Sequence, residues 1–189
     1  MNKLLLSAAL VAGVAGAALA PLPTLASDGS VLINGTLSAT SCKVNGGSSP
    51  SNFTVQLPTV SVSSLKTAGS VAGATPFDIT LTSCTAPATI TTYFEPGLTV
   101  MADGNLKNTG LAKNVEVQLL NANGNVMNLS AAAKSQNALS TLYGPNSDGT
   151  GTTALTGMPA GFFAQYVAIG GAAGSGTVTT TVQYTMIYN

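Results

Sequence analysis

The chain has 189 residues, in which six Lys without Arg balance six Asp and Glu, and it contains neither His nor Trp. That length fits one domain with a short appendage, and charge so sparse and scattered excludes a nucleic-acid or anionic-membrane surface, which needs clustered Lys and Arg. Without His the usual general base and commonest metal ligand are missing, so no catalytic or metal-ligating residue and no cofactor is assigned. Asp78, Glu95, Asp103, Glu116 and Asp148 show no local pairing and are expected in water. The chain reads as a non-enzyme whose neutrality suits association with its own kind.

Residues 1–26 read as a signal peptide: Lys3 gives a positive start, residues 4–20 are an apolar run, and small residues precede the polar Ser27-Asp28. Cleavage is expected after Ala26. The run is mostly Ala and Gly with no basic stop-transfer cluster behind it, which argues against a membrane anchor. In 28–37, Val31, Ile33, Gly35 and Leu37 alternate with Leu32, Asn34 and Thr36, so a strand here has one apolar face with a notch at Gly35. Export places Cys42 and Cys84 where a structural disulfide is expected, worth about 4 kcal/mol in the chain-entropy model.

Residues 40–44 read as a short strand. Phe53, Val55 and Leu57 alternate along another, closed by Pro58. Residues 61–75 read as a surface connection, after which Phe77, Ile79 and Leu81 should face a core while Asp78 faces water. A strand at 90–94 is stopped by Glu95-Pro96-Gly97. Val115, Val117 and Leu119 form one face of a strand that Asn121–Asn125 reverses into 126–129, as Asn-Gly between alternating runs implies. A short helix is expected within 129–143, a loop at 146–153 and a strand at 162–169. From Val178 the last run places Val178, Thr180, Val182, Tyr184, Met186 and Tyr188 on one face, with Thr179, Thr181, Gln183 and Thr185 on the other. Short strands, frequent turns and hardly any helix predict an antiparallel β-sandwich.

Four features together resemble the major (shaft) subunits of chaperone-usher fimbriae, the type 1-like pilins. They are the alternating Val31, Ile33, Gly35, Leu37 near the start; Cys42-Lys-Val44 with the F-x-I-x-L-x-x-C pattern from Phe77 to Cys84; Gly176, fourteenth from the end; and the penultimate Tyr188. The resemblance implies an incomplete immunoglobulin-like β-sandwich lacking its last strand, completed by a donor strand from another chain. It divides the sequence into a signal peptide (1–26), a donor-strand extension (27–38) and a pilin domain (39–189). Val31, Ile33, Gly35 and Leu37 would be the donor residues, and Gly176, Val178, Thr180, Val182, Tyr184, Met186 and Tyr188 the groove and chaperone-recognition strand. The implied partners are further copies of the chain, a periplasmic chaperone, an outer-membrane usher, and tip adhesin or adaptor subunits, with no nucleic acid. The protein would pass through the periplasm into a cell-surface adhesion filament as its structural subunit. The alternatives are a minor adaptor or tip-associated subunit, or a carbohydrate-binding adhesin.

Overall fold

Antiparallel pairing of strands separated by long connections dominates the chain, as the alternating runs require. The structure, a computed structural model, describes residues 31–44, 51–85, 87–145, 152–156 and 161–189; the expected signal peptide and most of the loop expected at 146–153 lie outside them. The chain divides into two compact units, Met1–Leu37 and Ser38–Asn189. In the first, residues 31–37 belong to no strand ladder, and Val31, Leu32, Ile33 and Leu37 are 84–100% exposed.

The second unit contains ten strands among the described residues: β1 (Lys43–Val44), β2 (Val71–Asp78), β3 (Leu81–Thr82), β4 (Ala88–Glu95), β5 (Leu106–Lys107), β6 (Val115–Asn121), β7 (Ser140–Pro145), β8 (Thr152–Thr156), β9 (Gly161–Ala168) and β10 (Gln183–Tyr188). They form two four-stranded sheets, in the orders β2-β9-β6-β5 and β10-β4-β7-β8, and a small β1-β3 ribbon. The period of two turns one set of side chains from each sheet toward the other. Phe94 of β4 thus shares a core with Leu106 of β5, Val117 and Leu119 of β6, and Phe162 and Ala164 of β9. Phe94 and Phe162 meet edge to face, with ring centroids 5.3 Å apart. The Cys42–Cys84 disulfide forms beside the ribbon, and Cys84 packs with Leu81, Ala88 and Ile90.

Several expected elements take a different form. The connection expected over 61–75 contains only a 3-10 turn (Val62–Ser64), and β2 begins inside it at Val71, bulged between Ala72 and Thr75 where Gly73 has a positive φ. The run through Phe77, Ile79 and Leu81 breaks after Asp78, because Leu81 and Thr82 pair with β1 rather than with β9. Residues 51–60 join no ladder, although Val55 and Leu57 pack on the core. Past Asn121 only an isolated bridge, Leu120 to Val126, continues the hairpin. There the Asn121 side-chain oxygen accepts from the main-chain N–H of Asn123 and Asn125, and its amide donates to the Asn137 carbonyl.

No helix forms in 129–143 beyond a 3-10 turn at Ala133–Ser135, and the reason lies in Gln136. Strand β7 pairs with β4 only as far as Thr91, which leaves the main chain at Phe94 without a strand partner on that side. Gln136, fully buried, supplies one: its Oε1 accepts from the Phe94 N–H, and its Nε2 donates to the carbonyls of Phe94 and Leu129. A side-chain amide stands in for a strand residue. Glu116, expected in water, is instead only 4% exposed, with Oε2 lacking a hydrogen-bond partner. Burial pushes its carboxyl above the ordinary range; a hydrogen bond from Asn105 opposes this, and neighbouring Asp103 adds to it.

Two outcomes follow for thermal unfolding of the purified protein. Gln136→Leu strands a buried N–H and a buried carbonyl at Phe94 and should cost about 2–4 kcal/mol, whereas a loss below about 0.5 kcal/mol would contradict this role. Glu116 holds its proton to higher pH in the folded state than its ordinary value near ~4.3. Its stabilising contribution is therefore complete below that value and is lost as pH rises through the folded one. Glu116→Gln should accordingly unfold at a higher temperature than the parent at pH 7.5, with the difference shrinking as pH falls to the ordinary carboxylate value. An unchanged difference across that range would count against the raised carboxyl.

Candidate functional site: an open strand position beside β10

Strand β10 ends its sheet, with β4 on one side and no strand on the other among the described residues. Which of its main-chain groups face the open side follows from two observations. Thr179 donates its N–H to Asn108 Oδ1 and its carbonyl accepts from the Thr109 N–H, while the carbonyl of Thr177 accepts from Ala112, so these odd-numbered residues face the 108–112 loop. Tyr184 stands opposite Phe94, whose N–H and carbonyl are both turned to Gln136; opposed antiparallel residues exchange both bonds or neither, so the groups of Tyr184 face away from β4. Parity then directs the N–H and C=O of Val178, Thr180, Val182, Tyr184, Met186 and Tyr188 to the free edge.

Those same six residues carry the inward side chains. Each is half-buried, while Thr179, Thr181, Gln183 and Thr185 are exposed, so the alternation expected from the sequence holds as far as Met186; at the end of the strand Ile187, on the opposite parity, is half-buried as well. The strand ladder covers only its second half, because 177–181 is held by the 108–112 loop and by the Thr99 hydroxyl on the Thr181 carbonyl. Val178, Val182, Tyr184 and Met186 pack on the same core as Val55 and Leu57 of the unladdered 51–60 segment and Phe77 of β2. The Tyr184 hydroxyl donates to the Ser51 carbonyl at 2.7 Å, and Phe53 places its ring 6.0 Å from both Tyr184 and Phe77. Burial pushes the Tyr184 phenol up, keeping it a neutral donor. Among the described residues the two segments are thus linked through side chains and not through a strand ladder, leaving the half-buried apolar row, the trough, beside an edge with no strand partner.

Two of the anticipated groove residues have further structural work. A Cβ at Gly176, where φ is +150°, would stand 2.5 Å from the Ala112 nitrogen and 2.8 Å from the Leu111 carbonyl carbon, so only glycine lets the loop cross here. The Tyr188 hydroxyl accepts from the Cys42 N–H at 3.2 Å and packs the end of β10 onto the disulfide cluster. Thr180 differs from its neighbours in the row: its buried Oγ1 has no hydrogen-bond partner. The 108–112 clasp and the Phe53–Tyr184–Phe77 cluster were not anticipated. For the latter, the alternation of Phe53, Val55 and Leu57 was the available signal. Among the described residues no group of three or more Cys, Asp or Glu is placed to hold a metal, and no helix is long and apolar enough to cross a membrane.

Comparison with known proteins agrees with this architecture. Residues 31–189 match the family model described as Fimbrial protein. The major fimbrial subunit SMF-1 of Stenotrophomonas maltophilia is 40% identical over 178 residues, covering 91% of this chain and 99% of that protein. The F17 fimbrial protein of Escherichia coli is 40% identical over 176 residues, covering 87% and 89%. In fold, the chain is similar to the P pilus rod subunit PapA, with a TM-score of 0.51 at 20% identity over 85% of this chain and 100% of that one. A sandwich with one sheet edge left open and these relatives agree: the chain belongs to the fimbrial protein family, as an exported, non-enzymatic subunit of a surface fimbria with an immunoglobulin-like fold.

Proposed function

We propose that this chain is the repeating shaft subunit of its fimbria and that it polymerises by donor-strand exchange, residues 27–38 of one copy filling the trough beside β10 of the next. The observation that carries the reading is the conjunction of a free strand edge with a half-buried apolar row, Val178 to Tyr188, in a chain whose Val31, Ile33 and Leu37 are 86–100% exposed. A strand entering the trough satisfies the edge and covers the row at once. Burying Val31, Ile33 and Leu37 would each contribute about 1.5–3 kcal/mol, with main-chain bonds in addition. Donor and acceptor are different surfaces of one molecule, so the contact is heterologous and propagates instead of closing.

The rest of the sequence takes its place around that exchange. Residues 1–26 direct export, 39–189 form the pilin domain, and a periplasmic chaperone occupies the edge of β10 until an outer-membrane usher hands the subunit to its neighbour. Tip adhesin or adaptor subunits would precede it in the filament. Its 40% identity to a protein named as a major subunit supports the shaft position.

Deleting residues 31–37 while retaining export should abolish long filaments in electron micrographs and the SDS-resistant ladder on unheated gels. Long SDS-resistant filaments from the truncated chain would refute donor exchange through this segment. Gly35→Val fills the notch, and overpacking of about 1–3 kcal/mol should lower filament yield roughly tenfold with the periplasmic subunit level unchanged. Normal filament yield would remove the notch from the account.

A further inference from the structure

Asparagine followed by glycine is a reactive pair, because glycine has no side chain to shield its main-chain nitrogen from the neighbouring amide. The sequence contains three such pairs, Asn34-Gly35, Asn45-Gly46 and Asn123-Gly124, of which the first and last lie among the described residues. Their surroundings differ. Gly124 sits in a tight turn: its nitrogen donates to the Asn121 carbonyl at 2.9 Å, and the Asn121 side-chain oxygen fixes the nitrogens of Asn123 and Asn125. Asn34 and Gly35 are exposed, join no ladder and have no hydrogen-bond partner among the described residues, and a Cβ placed on Gly35 would meet nothing within 4 Å.

We propose that Asn34-Gly35 is a deamidation site, open while the subunit waits and closed once residues 31–37 enter a neighbour, and that its isoaspartyl product is a donor that no longer fits. The inference rests on the donor-strand reading above. The Gly35 nitrogen, giving up its proton, attacks Asn34 Cγ; the N–Cγ bond forms, the Cγ–Nδ2 bond breaks, and ammonia leaves with that proton, giving a cyclic imide. Water then opens the ring. Addition at Cγ breaks the new bond and yields aspartate, whereas addition at the main-chain carbonyl breaks the original peptide bond and yields isoaspartate, with the chain rerouted through Cβ and Cγ. Ring closure requires rotation about the ψ angle of Asn34, which a strand ladder holds at about +135°. A ladder in the filament and a bonded turn at Gly124 therefore both block the attack, and the waiting donor has neither.

The two products differ in consequence. Aspartate keeps the strand period and places its charge on the face shared with Leu32 and Thr36, opposite the apolar row. Isoaspartate adds a main-chain atom between Ile33 and Gly35, which throws Val31 and Ile33 out of step with Leu37 both on the inward face and in the ladder. Subunits that wait too long thereby withdraw from assembly, while filaments already built are spared at this point.

Peptide mapping by chromatography and mass spectrometry, which separates aspartate from isoaspartate, follows each site as purified periplasmic subunit and assembled filaments are incubated in mildly alkaline buffer. In the subunit, Asn34 should convert about ten times faster than Asn123, and about ten times faster than Asn34 in filaments. When a partly converted pool is then allowed to assemble, isoaspartyl chains should be depleted about tenfold in the filaments, while aspartyl chains enter like the parent. Asn34→Gln, whose longer side chain closes the ring far more slowly, should keep its assembly yield through the same incubation. Conversion of Asn34 no faster than Asn123 in the subunit, isoaspartyl chains undepleted in filaments, or an equal loss of yield by Asn34→Gln overturns the proposal alone. Conversion of Asn34 as fast in filaments as in the subunit overturns the donor-strand reading itself, since the segment is then uncovered in the polymer.

Discussion

A β-strand satisfies its main chain on two sides, and among the described residues β10 has a strand neighbour on one. The missing half costs more here than at an ordinary sheet edge, because the residues whose N–H and C=O face outward are the ones whose side chains floor the trough. An edge that points into water is hydrated cheaply; an edge beside Val178, Val182 and Met186 borders apolar surface that water also covers badly. One strand removes both penalties together.

Keeping such a trough open demands support that a closed sandwich would not need. On one flank Gln136 occupies the main chain of Phe94, so the strand behind β10 is finished and cannot recruit a partner of its own. Along the first half of the groove row, the 108–112 loop holds Thr177 and Thr179, which is possible only because Gly176 lets the two backbones cross at contact distance. On the far wall Tyr184 reaches to Ser51 and Phe53 bridges to Phe77, holding the 51–60 segment against the core without a ladder. Each of these contacts fixes a wall without adding a strand partner to the outer edge of β10.

How far the sequence anticipates this depends on whether the governing contacts are periodic. Core faces such as Val115, Val117 and Leu119, and the row from Val178 to Tyr188, follow a period of two and were legible, as was the Cys42–Cys84 pairing. Features that rest on one residue meeting another far along the chain were not: Gln136 replacing a strand, or Glu116 drawn into the sheet beside Asp103 and Asn105. The helix expected in 129–143 failed for the same reason, since its weak local pattern lost to a buried amide bonded to four main-chain groups. Residues 53–57 mark another limit. Their alternation is that of a strand, yet strand character needs a partner, and the described residues of the chain offer none.

The hydrogen bond from Cys42 to Tyr188 has a mechanical side. In a filament assembled as proposed, tension enters a subunit through the strand lying on its β10 and leaves through its own Leu37, five residues before Cys42. The end of β10 is joined directly to Cys42, near the start of the pilin domain, by the Tyr188 hydroxyl on the Cys42 N–H, and Cys42 is anchored covalently to Cys84. Load on β10 would meet this short link at the margin of the sandwich beside the ladder that joins β10 to β4, so the disulfide cluster shares the pull with the sheet.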